Sequence, residues 1–520
     1  MIFNISFFFL LLGTVHSAKI LVWNPLYGYS HYTFLNSLAD VLVDAGHNVT
    51  VLIPEFDTSK GIKTAEKANV LIRSKPVATF SLACPDIQAK FWSYYFEILK
   101  FAEVGQGYHE HNNGVCERLF QDDDFIEHIK SESFELAVLE PLDYCGFGLL
   151  KLIGLTNYVI ATPMTMTDHA ASVLGLPGRS VAVSPANSDY YTDMSFLERV
   201  ENYISPWVFK TVVSRGLSLP AVQKYADKNF NPEDIFNKAR FFFVNTDESI
   251  DFPRPISHKV IYIGGITVDM DGTSKLPAKV DAIVNNATKV VMISFGSLGK
   301  SSAMPKAISS AFVSLFEAFP EVTFIWKHET APIHPAIHLN NVYATQWLPQ
   351  KELLQHPKVV GIITHGGMNS VLESAHAGVP SVGIPLFADQ HRNIQMLVNR
   401  KTSVLIRKRE ITATKLIAAL ESVLSPEIQN NAKQLAHVLA VKPVPPKERF
   451  VRFVDFAVAT ANTGDYLDIQ TRTLSFVQFY NFDVIGFLII TTMFTVYSIS
   501  KVLTFTFSLL MTVPIKVKKA

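Results

Sequence analysis

The 520-residue sequence carries no excess charge of either sign, with 46 Lys and Arg against 46 Asp and Glu. That balance argues against a nucleic-acid-binding role. Cysteine is scarce: Cys84, Cys116 and Cys145 allow at most one disulfide and leave one thiol over, so this is no disulfide scaffold. No Gly-x-Gly-x-x-Gly and no P-loop occurs, and readings as a nicotinamide enzyme or a kinase fail with them. Metal-ligand patterns are thin as well. Tyr108-His109-Glu110-His111 suggests no further ligand, and Asp269-Met270-Asp271 lies in a polar loop, so both read as solvated surface and no metal is expected. Asp122-Asp123-Asp124 reads as a helix start or an exposed loop.

Apolar residues are plentiful instead. They make up 48% of the chain, with 38 Phe, which directs attention to membrane segments. Residues 7–12 form a short apolar run ending near Val15-His16-Ser17-Ala18, which reads as a secretory signal over 1–17, cleaved near Ser17 or Ala18. Residues 484–500 form a second run, and beyond Lys501 the apolar character resumes to Val513. A span takes about 20 largely apolar residues, and a lysine near its end can snorkel. The anchor is placed at 484–511. The tail 512–520, with Lys516, Lys518 and Lys519, is basic and expected in the cytosol, leaving a single-pass type I chain that is mostly lumenal. Lysines third and fifth from the end also resemble a dilysine signal for retrieval to the endoplasmic reticulum; positive-inside anchoring explains them equally. Two sequons suit a lumenal chain. Asn48 opens a predicted strand, where burial works against glycosylation, whereas Asn286 lies in a polar stretch and is better placed.

Between signal and anchor, strand and helix patterns alternate twice over. Lys19–Trp23 is a buried strand, 24–31 a turn-rich loop, and Leu35, Leu38, Ala39, Leu42 and Val43 recur at helical spacing. A strand at 49–53 follows. This is the opening unit of a doubly wound parallel sheet, an α/β arrangement whose ligands lie beyond the strand C-termini, where His31 sits. Strands at 136–139, 157–161 and, last in this half, 241–245 are expected, with helices over 125–129 and 148–153. Phe252-Pro253-Arg254-Pro255 is the linker, placing the first domain at 18–251 and the second at 252–445. From Val260 the alternation restarts, with strands at 289–294, 322–326, 342–345, 359–364 and 381–384 forming a second doubly wound sheet. Proline-rich residues 441–446 precede an amphipathic helix at 449–459, expected to run back over the first domain within a 446–483 segment leading to the anchor.

One stretch organises the second half. It begins Trp347-Leu348-Pro349-Gln350, passes through Thr364-His365-Gly366-Gly367-Met368-Asn369-Ser370 and Glu373, and closes at Pro385-Leu386-Phe387-Ala388-Asp389-Gln390. Physically it reads strand, tight glycine turn, helix, strand, loop. The turn at Gly366-Gly367 feeds a helix N-terminus, where unpaired N–H groups and the helix dipole favour an anion. Ser370 and Glu373 also have the spacing of a capping box, which offers that glutamate a purely structural role.

With these motifs in view, the chain resembles the UDP-glycosyltransferase family, of the membrane-bound UDP-glucuronosyltransferase type. The resemblance runs from the opening strand to the basic tail, is most specific over 347–390, and in the first half rests on islands. It implies a GT-B fold: two facing Rossmann-like domains, the first binding acceptor and the second UDP-sugar, with the active site in the cleft. Trp347 would stack on uracil, a flat ring for a flat base, and Gln350 would contact the nucleoside. Glu373 would accept from the ribose hydroxyls. His365, Gly366, Asn369 and Ser370, with Ser297 from the first strand of that domain, would hold the diphosphate, where offsetting charge helps UDP depart. Asp389 and Gln390 would bind hydroxyls of the transferred sugar.

The same resemblance implies inverting transfer with a single base and no cofactor, the UDP-sugar being a co-substrate. His31, in Tyr29-Ser30-His31-Tyr32, aligns with the family's catalytic histidine, and an imidazole titrating near neutrality can take a proton from an acceptor hydroxyl. The family partners this histidine with an aspartate five residues before a cysteine. Here Glu140 stands five before Cys145, longer by one methylene, with Asp143 the nearby alternative; the partner would orient the ring and stabilise the imidazolium. The expected activity is transfer of glucuronate from UDP-glucuronate to small lipophilic hydroxyl compounds. UDP-glucose is the rival donor, because no arginine precedes Arg392 in the signature stretch to meet a carboxylate. A reading from another class is a non-catalytic, membrane-anchored UDP-binding partner subunit; on either reading the chain is open to homo- or hetero-oligomers. His31, Glu140 and the intact stretch argue against it. Residues 87–111 and 172–229 would shape the acceptor pocket without a recognisable code.

Overall fold

The structure, a computed structural model, describes residues 17–25, 28–54, 64–73, 85–93, 98–176, 194–200, 204, 219–268, 275–332, 334–464, 466–469 and 473–512. The signal segment before Ser17, Asp269-Met270-Asp271, Cys84, the lysine tail and most of 177–218 lie outside the described residues. The chain divides into two compact units, Met1–Asp468 and Ile469–Ala520.

The first unit is built on two parallel sheets. One contains β1 (Lys19–Trp23), β2 (Asn48–Ile53), β3 (Asn69–Ile72), β4 (Leu136–Leu139), β5 (Tyr158–Thr162), β6 (Phe242–Val244) and β7 (Val260–Tyr262), in the order β3-β2-β1-β4-β5-β6-β7. The other contains β8 (Lys289–Ser294), β9 (Val322–Lys327), β10 (Val342–Thr345), β11 (Val359–Thr364), β12 (Ser381–Gly383) and β13 (Ser403–Leu405), in the order β10-β9-β8-β11-β12-β13. Runs such as Leu-Ala-Val-Leu in β4 and Val-Val-Met-Ile in β8 are apolar without alternation because helices cover both faces of a parallel sheet. Each sheet's strand order reverses beside its first strand, between β1 and β4 and between β8 and β11. A crevice opens beyond the strand C-termini at such a point. The two sheets therefore supply one each, and these two Rossmann-like halves form the GT-B arrangement.

Three details depart from the sequence expectations. The first sheet does not end at 241–245: β7, beyond the linker, pairs with β6 in register Phe242 to Val260. Three residues carry too little periodicity to disclose their sheet, and the same holds for β13. Helix α1 (Tyr29–Asp44) starts ahead of its apolar stripe, so His31 lies in its first turn rather than in a loop. Asn48 is exposed at the start of β2, its Oδ1 accepting from Asn69 Nδ2 at 3.2 Å, so burial does not mask it. Asn286 is exposed at the end of helix Ala278–Asn286.

Helix Pro446–Ala459 returns to the first sheet, where Phe450, Val454 and Ala457 are buried with Ile20, Val22 and Phe243. Arg240 holds the following turn through Ala461 O at 2.6 Å, and Lys259 pairs with Asp468. A disulfide joins Cys116, in α3 (Ile98–Phe120), to Cys145 at the head of helix Cys145–Ile153. The second unit contains helix Phe482–Met511, 30 residues whose most apolar part has a mean hydropathy of 1.8, long and apolar enough to cross a membrane.

Candidate active site

Polar residues stand at the C-terminal ends of the buried strands, and there the site assembles. Asn24, after β1, donates from Nδ2 to Tyr32 O at 3.0 Å and Asn36 Oδ1 at 2.7 Å, fastening the start of α1 to the sheet. That contact holds His31 over β4, whose chain continues directly into Glu140. His31 Nδ1 lies 2.6 Å from Glu140 Oε1, and the Glu140 side chain is fully buried. Asp143 points elsewhere, accepting from Trp23 Nε1 at 3.2 Å and from the Cys145 N–H at 3.0 Å. Of the two carboxylates, the structure brings Glu140 to the histidine.

Burial works against charge on His31. The attraction and hydrogen bond of Glu140, with the charge of Asp389, outweigh it and hold the pKa above the ordinary imidazole value. Asp389 belongs to the other half, at the head of helix Gln390–Asn399, so the imidazole faces carboxylates from both sides of the cleft. Burial in turn raises the Asp389 pKa, although Asn393 and His31 oppose the rise. Asn393 Nδ2 donates to Asp389 Oδ2 at 2.9 Å and to Gly366 O at 3.1 Å, bracing the aspartate against the glycine turn.

The second crevice holds most of the signature residues. Between β11 and helix Met368–Ala377, Gly366 has φ +83°, and a Cβ there would lie 2.4 Å from Ile394 Cγ1. The ring of His365 is sandwiched by glycines: a Cβ at Gly296 or Gly367 would come within 2.6 or 2.8 Å of its Nε2. Burial and the nearby Lys327 push its pKa down to about 4, so the ring is neutral at physiological pH. Ser297 lies half-buried on the turn after β8, one residue past Gly296 with φ +74°. Asn369 Oδ1 accepts from Asn245 Nδ2 at 3.0 Å, a bond from one half to the other.

Gln350, Ser370 and Glu373 form one cluster. Gln350 Nε2 donates to Ser370 Oγ at 2.9 Å and to Glu373 Oε2 at 2.7 Å. This corrects the capping reading: Gly367 is the N-cap, no side chain caps the helix, and Glu373 lies in its interior, bonded to Gln350. Burial raises the Glu373 pKa, partly offset by Lys351 and Gln350. Trp347 is 56% exposed, which removes it from the core, and Tyr29 of the first half meets its ring edge-on at 5.2 Å. Gln390 is buried, its Oε1 accepting from the Leu386 and Phe387 N–H groups at 2.9 and 3.1 Å, so its oxygen shapes the loop. Among the described residues no group of three or more His, Cys, Asp or Glu side chains is placed to hold a metal ion.

Sequence reasoning missed Asn24, Asn245 and Lys327. Lys327 ends β9 with its ammonium 5.6 Å from the Trp347 ring centroid and donating to Gly296 O at 2.6 Å. All three share one signal, a polar residue at the C-terminal end of a buried apolar strand. Arg392 does not turn to the site: it donates to Asp251 Oδ1 at 2.6 Å and Thr165 Oγ1 at 2.7 Å.

This architecture has known counterparts. A bovine (Bos taurus) protein, UDP-glucuronosyltransferase 3A1, is 28% identical over 96% of this chain and 95% of its own length. The human (Homo sapiens) 2-hydroxyacylsphingosine 1-beta-galactosyltransferase is 27% identical over 91% of this chain and 85% of its own. Among solved structures, the spinosyn forosaminyltransferase SpnP shares the fold, with a TM-score of 0.54 at 17% identity, over 85% of this chain and 99% of that one. The family described as "UDP-glucoronosyl and UDP-glucosyl transferase" matches residues 18–518. With that match over nearly its whole length, on two facing parallel sheets, the chain belongs to the UDP-glucuronosyl and UDP-glucosyl transferase family.

Proposed function

We propose that this protein is an inverting glucuronosyltransferase that moves glucuronate from UDP-glucuronate onto hydroxyl groups of small lipophilic compounds. The observation that carries the catalytic reading is the 2.6 Å contact between His31 and Glu140 at the mouth of the first crevice. With Nδ1–H donating to Glu140, Nε2 is left to accept a proton. As the acceptor oxygen attacks the anomeric carbon, its proton passes to Nε2 and the bond from that carbon to the diphosphate oxygen breaks. UDP leaves with the electron pair and the configuration inverts. The N-terminus of helix Met368–Ala377, with neutral His365 and the Lys327 ammonium nearby, suits the charge that develops on the diphosphate. Trp347 offers an open face to the uracil, and the Gln350–Glu373 pair suits the ribose hydroxyls. Asp389 and Gln390 would meet the sugar.

One observation favours a second donor. Arg392 is held by Asp251 and Thr165, so the signature stretch turns no arginine toward a glucuronate carboxylate. UDP-glucose is therefore the second reading, and a relative at similar identity is named for galactosyl transfer. A donor screen on membranes expressing the protein decides. Rapid transfer from UDP-glucose with none from UDP-glucuronate overturns the first choice. UDP binding without transfer from any donor to broad acceptor pools would make this a binding subunit instead.

We further place the catalytic halves in the lumen of the endoplasmic reticulum, behind a cleaved signal and a single type I anchor. The apolar helix Phe482–Met511, the basic residues that follow it and the Cys116–Cys145 disulfide support this placement.

A further inference from the structure

By chain position, α2 (Pro85–Trp92) belongs to the first half, lying between β3 and α3. Its packing belongs to the second. Trp92 is fully buried in the core around β8 and β9, edge-on to Phe295 at 5.0 Å, and donates its indole N–H to Lys300 O at 2.8 Å. Gln88 Oε1, also buried, accepts the Lys300 N–H at 3.2 Å. Ahead of this anchor, Phe91 stacks on Phe387 with ring centroids 4.3 Å apart and planes 25° from parallel. A single ammonium then joins the two segments: Lys408 Nζ donates to Phe91 O at 2.8 Å and to Leu386 O at 3.1 Å.

Phe387 sits in the loop that carries Asp389. Between them Ala388 has φ +54°, a left-handed conformation that an alanine adopts only when its surroundings impose it. Gln390 fixes the loop from one side, through the Leu386 and Phe387 N–H groups, and α2 fixes it from the other.

We propose that Phe91 is a positioning residue for the donor sugar: a helix lent by the acceptor half, anchored by Trp92 and clamped by Lys408, sets the loop that presents Asp389. The inference rests on the reading of Asp389 as a sugar contact. The uridine end of the donor, assigned to Trp347, Gln350 and Glu373, lies on other elements, so a loosened Phe91 weakens UDP-sugar and spares UDP. Seating of α2 thereby makes recognition of the donor sugar depend on the half that holds the acceptor.

The test is equilibrium binding of UDP, UDP-glucose and UDP-glucuronate to the full chain in detergent, for wild type, Phe91→Ala, Phe91→Leu and Asp389→Ala. Phe91→Ala is expected to weaken the preferred UDP-sugar about tenfold and leave UDP within about twofold, with Phe91→Leu recovering much of the loss. Should Phe91→Ala fail to fold, Lys408→Met breaks the other link and reads the same ratio. UDP and UDP-sugar weakening together, or neither changing, overturns the proposal. An unchanged ratio in Asp389→Ala overturns the sugar-site reading instead, while the Phe91 ratio keeps its own answer because binding is measured without turnover.

Discussion

His31 stands between two carboxylates of different origin, Glu140 from its own half and Asp389 from the other, and its chemistry follows from that setting. Its raised pKa means that the neutral base form appears only above the usual imidazole range, so kcat/KM should climb with pH through that raised value. Glu140→Gln removes the attraction while leaving burial and Asp389 in place. The acidic limb of the pH–rate profile should then move to lower pH, and kcat should fall roughly 100-fold or more. A limb that stays in place in the variant would show that another group sets it. His31→Ala should abolish turnover while UDP binding, measured by calorimetry, persists. The linked stability has the opposite sense in pH: the His31–Glu140 contribution is complete below the unfolded-state pKa and is lost as pH rises through the raised folded value.

At the scale of elements, the glycine turns decide whether the nucleotide seat exists at all. Gly296→Ala meets both a left-handed φ of +74° and the His365 ring, so the turn after β8 must open or the ring must leave. UDP affinity should drop at least tenfold, while circular dichroism shows the fold retained, since about 1–2 kcal/mol of backbone strain is local. These turns were readable from residues alone, because Thr364-His365-Gly366-Gly367 follows an apolar run and precedes a helix. So were β1, β4, β8 and β11, whose short apolar runs are rich in Val, Ile and Leu. What escaped was short or non-local. Val260-Ile261-Tyr262 gives no hint of its sheet, and Glu373 looks like a capping residue until Gln350 is seen beside it. Lys327 becomes a cleft residue only when β9 ends beside the Trp347 ring. Phe91 and Trp92 read as ordinary apolar positions because their partners lie more than two hundred residues away.

For the whole molecule, the cleft walls are held by buried polar contacts as well as by packing. Arg392 and Asp251 are both 2% exposed and paired at 2.6 Å, with the Arg392 guanidinium 5.3 Å from the Phe252 ring centroid. Replacing only one member strands a buried charge, so Asp251→Ala should lower stability by about 3–5 kcal/mol in denaturant unfolding. Replacing both by apolar residues should cost less than the single change, the signature of a pair held for geometry. Helix Phe482–Met511, at about 1.5 Å per residue, is about 45 Å long, more than the ~30 Å of a hydrocarbon core. Alkaline carbonate should therefore leave the full chain in the membrane pellet, and a chain ending at Asp468 should lose that anchorage.

The bond between Cys116 and Cys145 bears on how the protein can be made. Cys145 opens the helix that follows the segment 140–144, so the disulfide ties the stretch carrying Glu140 to α3. Closing a loop of this size restricts the unfolded chain by about 3–4 kcal/mol. Material produced in a reducing cytosol would lack that tie and would hold the histidine's partner less firmly, whereas an oxidising secretory host would supply it. Preparations from the two kinds of host are thus expected to bind UDP alike but differ in turnover, and because both cysteines are buried the bond in the second should survive a mild reductant as long as the chain stays folded.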